Sequence, residues 1–272
     1  MFNTTIKVII SRLIGKVANI KNKNISLPLI YLFKFFLKID DDVDNQSHDT
    51  LNNFFIRKKD GYLGLEKDEK IFCSPAEGTI SQHGKIQNST LIQAKGKFFT
   101  LNQLFGGDEN LCQRFEEGKF FTVYLAPINY HRVHIPRAGI LTKIRYITGD
   151  LHSVSKKNSE RVEGLYCKNE RVALYFESEE GHGFALILVG ALLVGSIALS
   201  YTGHKLTAHK NFSRNETVNV KPTHLAQLDE VGVFNFGSTV ICLATKNTLK
   251  FKEDFENDLE IMVGQAVGYC LP

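Results

Sequence analysis

The sequence predicts an α+β protein in which N-terminal amphipathic helices precede a mainly antiparallel β domain. Two stretches, residues 2–18 and 28–39, place apolar side chains at helical spacing. From about residue 70 onwards, short runs of β-branched and aromatic residues alternate with Gly, Pro or Asn, which is typical of strands joined by turns. The chain has 272 residues, 43% of them hydrophobic, enough for one large domain with an appendage or for two modest domains.

The two N-terminal helices are predicted to be too short and too polar to span a membrane. In the first helix, Arg12 and Lys16 border the apolar stripe, and Arg12 divides the apolar run that a cleavable signal peptide would need. Pro28 is predicted to start the second helix. Lys34 and Lys38 interrupt this helix well before the roughly 20 apolar residues of a membrane span.

The basic charge of the chain is concentrated at its N-terminus. Residues 1–39 contain seven Lys or Arg and no Asp or Glu, whereas the whole chain has a formal net charge of +4. Two basic amphipathic helices suit an anionic bilayer surface, where each Lys or Arg adds roughly 1 kcal/mol of binding free energy. We therefore predict that residues 1–45 form a membrane-associating segment. The alternative is that these helices only cap the core of the domain.

The cysteines and one uncharged run exclude other classes of protein. Five scattered cysteines without a Cys-x-x-Cys spacing argue against a disulfide framework and a structural zinc site, and fit a reducing cytosol. The run from Gly183 to Gly203 has no charged side chain and is long enough for a transmembrane helix. Because glycines interrupt it, we interpret it as two buried strands, roughly 184–189 and 192–199.

A Gly-Ser pair near the C-terminus can rearrange its own backbone. Gly237 leaves its carbonyl open to attack, because it has no side chain and tolerates strained backbone angles. Attack by Ser238 Oγ would turn the peptide bond into an ester, and β-elimination would then cut the chain. The dehydroalanine left at position 238 would hydrolyse to a pyruvoyl group. Taken alone, the pattern is a weak signal, and a turn that leads into a strand is its more common meaning.

Two histidines and one acidic residue supply candidate acid–base groups. His131 and His134 stand three residues apart between two prolines, and cannot face the same way on a regular strand. Histidine suits acid–base work near neutral pH, although a pair with only structural hydrogen bonds remains an alternative. No metal is predicted, since there is no obvious third ligand nearby. Glu77 supplies a carboxylate in the turn at 75–78, or is simply an exposed turn residue.

Together these segments resemble the phosphatidylserine decarboxylase family, whose members are pyruvoyl-dependent enzymes of phospholipid synthesis. The resemblance extends over nearly the whole chain. It includes the motifs at 75–78, 92–96, 130–134, 149–151, 169–171, 187–197 and 237–241, in the family's order. Each motif alone is a weak signal, whereas the ordered set is specific.

The resemblance implies a role for each candidate residue. Ser238 would be the nucleophile of self-cleavage after Gly237, and would then become the covalent pyruvoyl group. His134 matches the histidine that activates this serine, and Glu77 matches the acid that orients the histidine. His131 matches the histidine that assists decarboxylation by delivering a proton.

Two positions depart from the family pattern. Glu77 stands where the family has Asp, and Phe236 stands where Leu is common. The extra C–C bond of Glu, about 1.5 Å, is comparable to the tolerance of a catalytic hydrogen bond. We expect maturation to survive this change at an equal or lower rate, with either a backbone adjustment or an indirect contact between Glu77 and His134.

The resemblance also implies a reaction and an assembly. Phosphatidylserine would lose CO2 through a Schiff base with the pyruvoyl group, giving phosphatidylethanolamine. Cleavage would give a long chain, made of the membrane segment 1–45 and the main catalytic part 46–237, and a short chain 238–272 that completes the same domain. The two chains would stay associated in a homodimer bound to the cytoplasmic face of the cell membrane. No nucleic-acid partner is predicted.

The sequence is also compatible with three other functions. The same chemistry could act on a soluble amino acid, which an assay with free serine would reveal. A catalytically inactive membrane-surface module of the same fold would instead give a single uncleaved chain. A metal-dependent hydrolase would lose its activity in a chelator.

Overall fold

The computed structural model describes residues 4–39, 48–58, 67–178, 181–191, 196–200, 205–207, 215–218, 220–235 and 238–271. Its helices are α1 Thr4–Ala18, α2 Lys23–Leu37, α3 Leu51–Phe55, α4 Leu101–Phe105, α5 Glu109–Phe115, α6 Lys156–Arg161 and α7 Leu165–Lys168. Its strands are β1 Ile71–Cys73, β2 Gly78–Lys85, β3 Thr90–Ala94, β4 Lys97–Thr100, β5 Lys119–Leu125, β6 Arg132–His134, β7 Gly139–Ile147, β8 Arg171–Glu177, β9 Gly183–Val189, β10 Ser196–Leu199, β11 Lys205–Thr207, β12 Glu216–Val218, β13 Thr223–Leu225, β14 Glu230–Asn235, β15 Ser238–Ala244, β16 Leu249–Phe251, β17 Glu260–Ile261 and β18 Ala266–Cys270.

The strands that the structure describes form one large sheet and three smaller ones. The nine-stranded sheet has the order β12-β7-β8-β9-β15-β5-β2-β17, with β13 also paired to β7. A four-stranded sheet has the order β11-β10-β14-β6, a three-stranded sheet has the order β1-β18-β16, and β3 and β4 form a hairpin. Every strand pair in these sheets is antiparallel. The predicted α+β class is confirmed.

The large sheet is buried on both faces, as strand β15 illustrates. Its side chains alternate between two hydrophobic clusters. Val240 and Cys242 lie in the cluster shared with β6 and β14, whereas Ile241 and Leu243 lie in the cluster shared with α4 and α5. A strand covered on both sides must be apolar along its whole length, and every residue of β15 is buried.

The second N-terminal helix begins earlier than the sequence indicated. It starts at Lys23, because the side chain of Asn22 caps it by accepting a hydrogen bond of 3.0 Å from the backbone N–H of Asn24. Pro28 lies inside the helix rather than at its start, where its ring removes one backbone donor. The prediction of two helices is confirmed, and the predicted start of the second was wrong.

The helix α2 is apolar on two sides. Phe33 packs edge-on against the rings of Phe54 and Phe55 in α3, with ring centroids 6.1 and 6.0 Å apart. Away from α3, Tyr31, Phe35 and Phe36 are 73%, 70% and 71% exposed. An aromatic surface of this kind is typical of a docking face. The use of residues 1–45 as a membrane segment, and the other chain boundaries, stay predictions.

The uncharged run from Gly183 to Gly203 forms strands where it is described. Its first part is β9, in the large sheet beside β15, and its second part contains β10, in the four-stranded sheet. Residues 192–195, where the second strand was predicted to begin, lie outside the described residues. Among the helices that the structure describes, none has the length and hydropathy needed to cross a membrane.

Candidate active site

Ser238 is the first residue of β15, in the interior of the nine-stranded sheet. It pairs with Leu125, the last residue of β5, and its side chain is 0% exposed. By strand alternation it points to the same face as Val240, toward the four-stranded sheet. Its Oγ makes no hydrogen bond to any residue that the structure describes. Such a buried hydroxyl costs about 1–3 kcal/mol, so its position calls for a functional explanation. Gly237 and Phe236 lie outside the described residues.

Glu77 directly precedes β2, so it lies at the same end of the strands of the large sheet as Ser238. Thr79 of β2 and Thr239 of β15 both pair with Tyr124 of β5. Two strand spacings therefore separate Thr79 from Thr239, a distance of roughly 10 Å. Glu77 Oε1 accepts a hydrogen bond of 3.1 Å from Asn129 Nδ2, in the loop that follows β5. Glu77, this loop and the start of β15 thus converge at one place.

His134, the last residue of β6, has hydrogen-bond partners on both ring nitrogens. Its Nδ1 lies 2.7 Å from the carbonyl oxygen of Leu228, which can only accept, so Nδ1 carries the proton. Its Nε2 therefore has a free lone pair, and accepts a hydrogen bond of 3.1 Å from Tyr130 Oη. The two rings also stack, with centroids 5.7 Å apart. The histidine tautomer follows from its surroundings.

Burial shifts both members of this pair toward their neutral forms. The pKa of His134 lies below its usual value, because burial penalises the imidazolium form. Burial also raises the pKa of Tyr130 to about 12, so its hydroxyl keeps the proton that it donates. At neutral pH the pair therefore consists of a neutral base, His134, and a neutral donor, Tyr130.

Neither Ser238 nor Glu77 is hydrogen-bonded to His134 in this structure. Both ring nitrogens of His134 are taken by Tyr130 and Leu228. The connection from Glu77 to His134 is indirect, through the loop that carries Asn129 and Tyr130. The roles expected for the predicted residues stay predictions.

Leu228, whose carbonyl accepts the hydrogen bond from His134, has an unusual backbone conformation. Its φ is 69°, in the left-handed region that residues other than glycine seldom occupy. Its own N–H donates to Ile135 O at 2.8 Å, and Asp229 O accepts from Ile135 N at 2.9 Å. These bonds hold the turn against the residue that follows His134. No side-chain pattern predicts this contact, because Leu228 contributes only its backbone carbonyl.

His131 is 0% exposed and lies just before β6. Its carbonyl accepts a hydrogen bond of 2.9 Å from Phe234 N in β14. Asn235 ends β14, and only three peptide units separate it from Ser238, so their Cα atoms lie within about 11 Å of each other. The His131 ring stacks on Phe55 of α3, with centroids 3.9 Å apart and planes at 18°.

Arg132 connects the two histidines to the N-terminal helices. Its Nη1 forms an ion pair with Glu230 of β14 at 2.7 Å. Its Nε donates to the carbonyl of Ile56, directly after α3, at 2.9 Å. The helix α3 is therefore fixed to the edge of the four-stranded sheet beside His131. Within the described part of the chain, no three His, Cys, Asp or Glu side chains are grouped to hold a metal ion.

Comparison with known proteins identifies the family. A sequence model described as phosphatidylserine decarboxylase matches residues 51–269. The chain belongs to the phosphatidylserine decarboxylase family. A phosphatidylserine decarboxylase proenzyme from Francisella philomiragia subsp. philomiragia is 41% identical over 269 residues, covering 95% of this chain and 92% of the relative. Proteins of the same name from Saccharophagus degradans and Aliivibrio fischeri are 36% and 37% identical, covering 82% and 98% of this chain and 78% and 96% of the relatives. The predicted resemblance, and with it the assignment to an enzyme family, is confirmed.

Some motifs that resemble the decarboxylase family have a structural role here. The Gln93 side chain accepts from Leu165 N and donates to two backbone carbonyls, each at 2.7 Å. Arg171 donates to four backbone carbonyls of α4, α7 and the adjoining turn. Burial lowers the pKa of Arg171 to about 10. These side chains hold together the helices on one face of the large sheet. Ser238 points to the other face.

Proposed function

We propose that this protein converts phosphatidylserine to phosphatidylethanolamine with a pyruvoyl group made from its own Ser238. The observation that carries the proposal is the burial of Ser238. This residue starts an interior strand, and its hydroxyl bonds to none of the described residues. It directly follows Gly237, as the rearrangement requires. The relatives are named proenzymes, which agrees with a protein that processes itself.

In the first stage the chain cuts itself. Ser238 Oγ adds to the carbonyl carbon of Gly237, and the peptide C–N bond breaks to leave an ester and a free amine. Loss of the α-proton of residue 238 then expels Gly237 as a carboxylate and leaves dehydroalanine. Water replaces the nitrogen, ammonia leaves, and a pyruvoyl group remains at the start of chain 238–272.

His134 is the base for this stage. A serine hydroxyl is a weak nucleophile at neutral pH and needs a neighbouring base in the correct tautomer. The Leu228 carbonyl fixes the proton on Nδ1, which leaves the Nε2 lone pair to take the serine proton. Because Tyr130 occupies Nε2 at rest, it must release this nitrogen before Ser238 can use it. Glu77 acts through the loop, by holding Asn129 next to Tyr130.

In the second stage His131 assists decarboxylation. When formed, the pyruvoyl group supplies a carbonyl that takes the serine amine of the lipid and accepts the electrons released as CO2 departs. His131 delivers the proton that replaces the carboxyl group, a transfer typically worth about 10²–10⁴-fold in rate. This role is supported by its burial and by its position one hydrogen bond away from the strand that leads to Ser238.

The same proposal includes an assembly and a location. The short chain would stay bound, because β15 pairs with β9 and β5, and β18 pairs with β1. The exposed aromatic face of α2, beside the basic N-terminal residues, would hold the enzyme on the cytoplasmic face of the cell membrane. A homodimer completes the proposal, and its molar mass in solution can be measured by light scattering.

Intact mass spectrometry and an activity assay test the proposal together. We expect the purified protein to show two chains, the shorter one beginning with pyruvoyl, and to decarboxylate phosphatidylserine in anionic vesicles. Ser238→Ala should give one uncleaved chain and no activity. Ser159→Ala is a matched control, since it removes another buried hydroxyl, in α6, and should mature normally. A single intact chain in the unchanged protein would refute the proposal. Activity on free serine equal to that on vesicles would point to a soluble substrate instead.

A further inference from the structure

The His131 imidazole lies face to face with an aromatic ring of α3, a helix that precedes the first β-strand. Its stack on Phe55 has a centroid distance of 3.9 Å and an interplanar angle of 18°. Both side chains are buried, at 0% and 1% exposure. A flat ring at this distance covers one face of the imidazole and excludes water from it. It also restricts the tilt of the imidazole plane.

Phe55 itself is held in place from the other side. Phe33 of α2 meets its ring edge-on, with centroids 6.0 Å apart and planes at 71°. The helix α3 is anchored by Arg132, which donates to the carbonyl of Ile56. Thr50 caps the start of α3 by accepting a hydrogen bond of 3.0 Å from Asn53 N. A series of contacts thus runs from α2 through Phe33 and Phe55 to His131.

We propose that Phe55 is a positioning residue that holds the His131 ring for proton delivery, and that Phe33 of α2 braces it. This inference rests on the role proposed above for His131. It adds a dependence of the second stage on the N-terminal helices, whereas the first stage is served by groups of the β domain.

Proton delivery by His131 depends on the geometry of its ring rather than on the stability of the fold. A proton donor must lie within hydrogen-bond reach of the atom that it protonates, about 2.6–3.2 Å. A displacement on the order of 1 Å can reduce the rate as much as about 100-fold. Replacing a flat ring by a smaller, branched side chain would leave His131 buried but free to tilt. The loss should therefore appear in the turnover rate rather than in substrate binding or in self-cleavage.

The experiment compares two adjacent phenylalanines with the same substitution. In Phe55→Leu we expect full self-cleavage by mass spectrometry, turnover on phosphatidylserine vesicles lowered on the order of tenfold, and a nearly unchanged KM. Phe54→Leu is the matched control. Phe54 lies in the same helix and is equally buried, but its ring meets Phe33, His48 and the cations of Lys34 and Arg57 rather than the His131 ring. It should turn over at a rate close to that of the unchanged protein. Phe55→Tyr, which keeps a flat ring, should restore most of the turnover.

Three outcomes would overturn the inference. These are a turnover of Phe55→Leu equal to that of Phe54→Leu, a loss confined to KM, or no recovery in Phe55→Tyr. Should Phe55→Leu fail to fold, Phe33→Leu carries the test, because it loosens the same ring from the side of α2. We expect Phe33→Leu to be fully self-cleaved and to turn over more slowly. Unchanged turnover would contradict the proposal that Phe33 supports the Phe55 ring.

His131→Ala separates this inference from the function on which it rests. Full turnover in a cleaved His131→Ala protein would remove the proposed role of His131, and the positioning role with it. Loss of turnover in His131→Ala together with normal turnover in Phe55→Leu would remove only the positioning role. If the protein without any substitution is not cleaved, the pyruvoyl mechanism itself is refuted.

Discussion

His134 and His131 stand three residues apart, yet they are held by different parts of the molecule. His134 is hydrogen-bonded at both ring nitrogens, to the Leu228 carbonyl and the Tyr130 hydroxyl, which belong to the β domain. His131 has an aromatic ring of the N-terminal helices against its face. Hydrogen bonds select a tautomer and a direction, whereas a stacked ring selects a plane. The two imidazoles are therefore equipped for different steps.

This difference predicts that maturation and turnover can be separated. Self-cleavage should depend on the contacts of His134, and decarboxylation should depend on those of His131.

The largest effect is expected from replacing each histidine by alanine. His134→Ala removes the base that activates Ser238, so its self-cleavage should slow by about 10²–10⁴-fold and an uncleaved chain should accumulate. His131→Ala should cleave normally and lose turnover by a similar factor. Time-resolved gels of freshly synthesised protein and vesicle assays measure the two stages. The comparison would fail if both variants blocked the same stage.

The pH dependence of self-cleavage comes next. Since burial lowers the pKa of His134, its neutral form persists below the usual histidine pKa of 6.5. The cleavage rate should thus stay level as pH falls through 6.5, and then drop on the order of tenfold per pH unit below the pKa in the fold. The free energy of unfolding follows the same trend. Its contribution from neutral His134 is complete above pH 6.5 and is lost as the pH falls through the lowered pKa of the folded state. A rate that already falls above pH 6.5 would contradict a buried neutral base.

A smaller effect is expected for Tyr130→Phe. The change removes the hydroxyl that occupies His134 Nε2, while the Leu228 carbonyl still fixes the tautomer. A neutral hydrogen bond is worth about 1 kcal/mol, so freeing the nitrogen should speed self-cleavage by up to roughly fivefold. Slower cleavage would mean that Tyr130 relays the proton rather than withholding the base. Pulse-chase measurement of the uncleaved fraction distinguishes the two.

The smallest effect is expected at Glu77. Glu77→Gln keeps an oxygen that can accept from Asn129 Nδ2, so cleavage should change by less than for Glu77→Ala. Because Glu77 does not bond to His134, even Glu77→Ala should slow cleavage less than His134→Ala does. Equal losses in these two alanine variants would show that the carboxylate acts directly on the imidazole. The same gel assay measures all three variants.

Much of the fold and part of the site could be predicted from the sequence. Strand patterning predicted the β domain, and the spacing of apolar residues predicted the helices before it. The turn motif ending at Gly78 has a steric reason, because a Cβ there would lie 2.1 Å from the carbonyl oxygen of Tyr124. That approach places Glu77 beside the strand that pairs with Ser238. The family resemblance implied that these two segments act together, and the roles of their residues stay predictions.

The rest could not be predicted, because it depends on backbone atoms and on long-range packing. Leu228 acts through its carbonyl, for which no side-chain pattern exists. Phe55 lies in a short helix far from His131 in sequence, and one phenylalanine among 20 carries no local signal. Tyr130 lies inside the motif at 130–134, but its bond to His134 Nε2 depends on the path of the chain between the two residues, which the motif does not specify. The predicted start of α2 at Pro28 was wrong, because Asn22 caps the helix earlier in the chain and Pro28 lies inside it.

The position of Ser238 at the head of an interior strand has one more consequence. Chain ends usually fray, but an end created here would be paired with Leu125 at its first residue, and on both sides from Thr239 onwards. A reactive group at such an end would have little freedom to swing toward its substrate. The lipid headgroup would have to approach it in one pose, so the proton would arrive on a single stereochemical face. Decarboxylation in deuterated water should then label the product with one configuration.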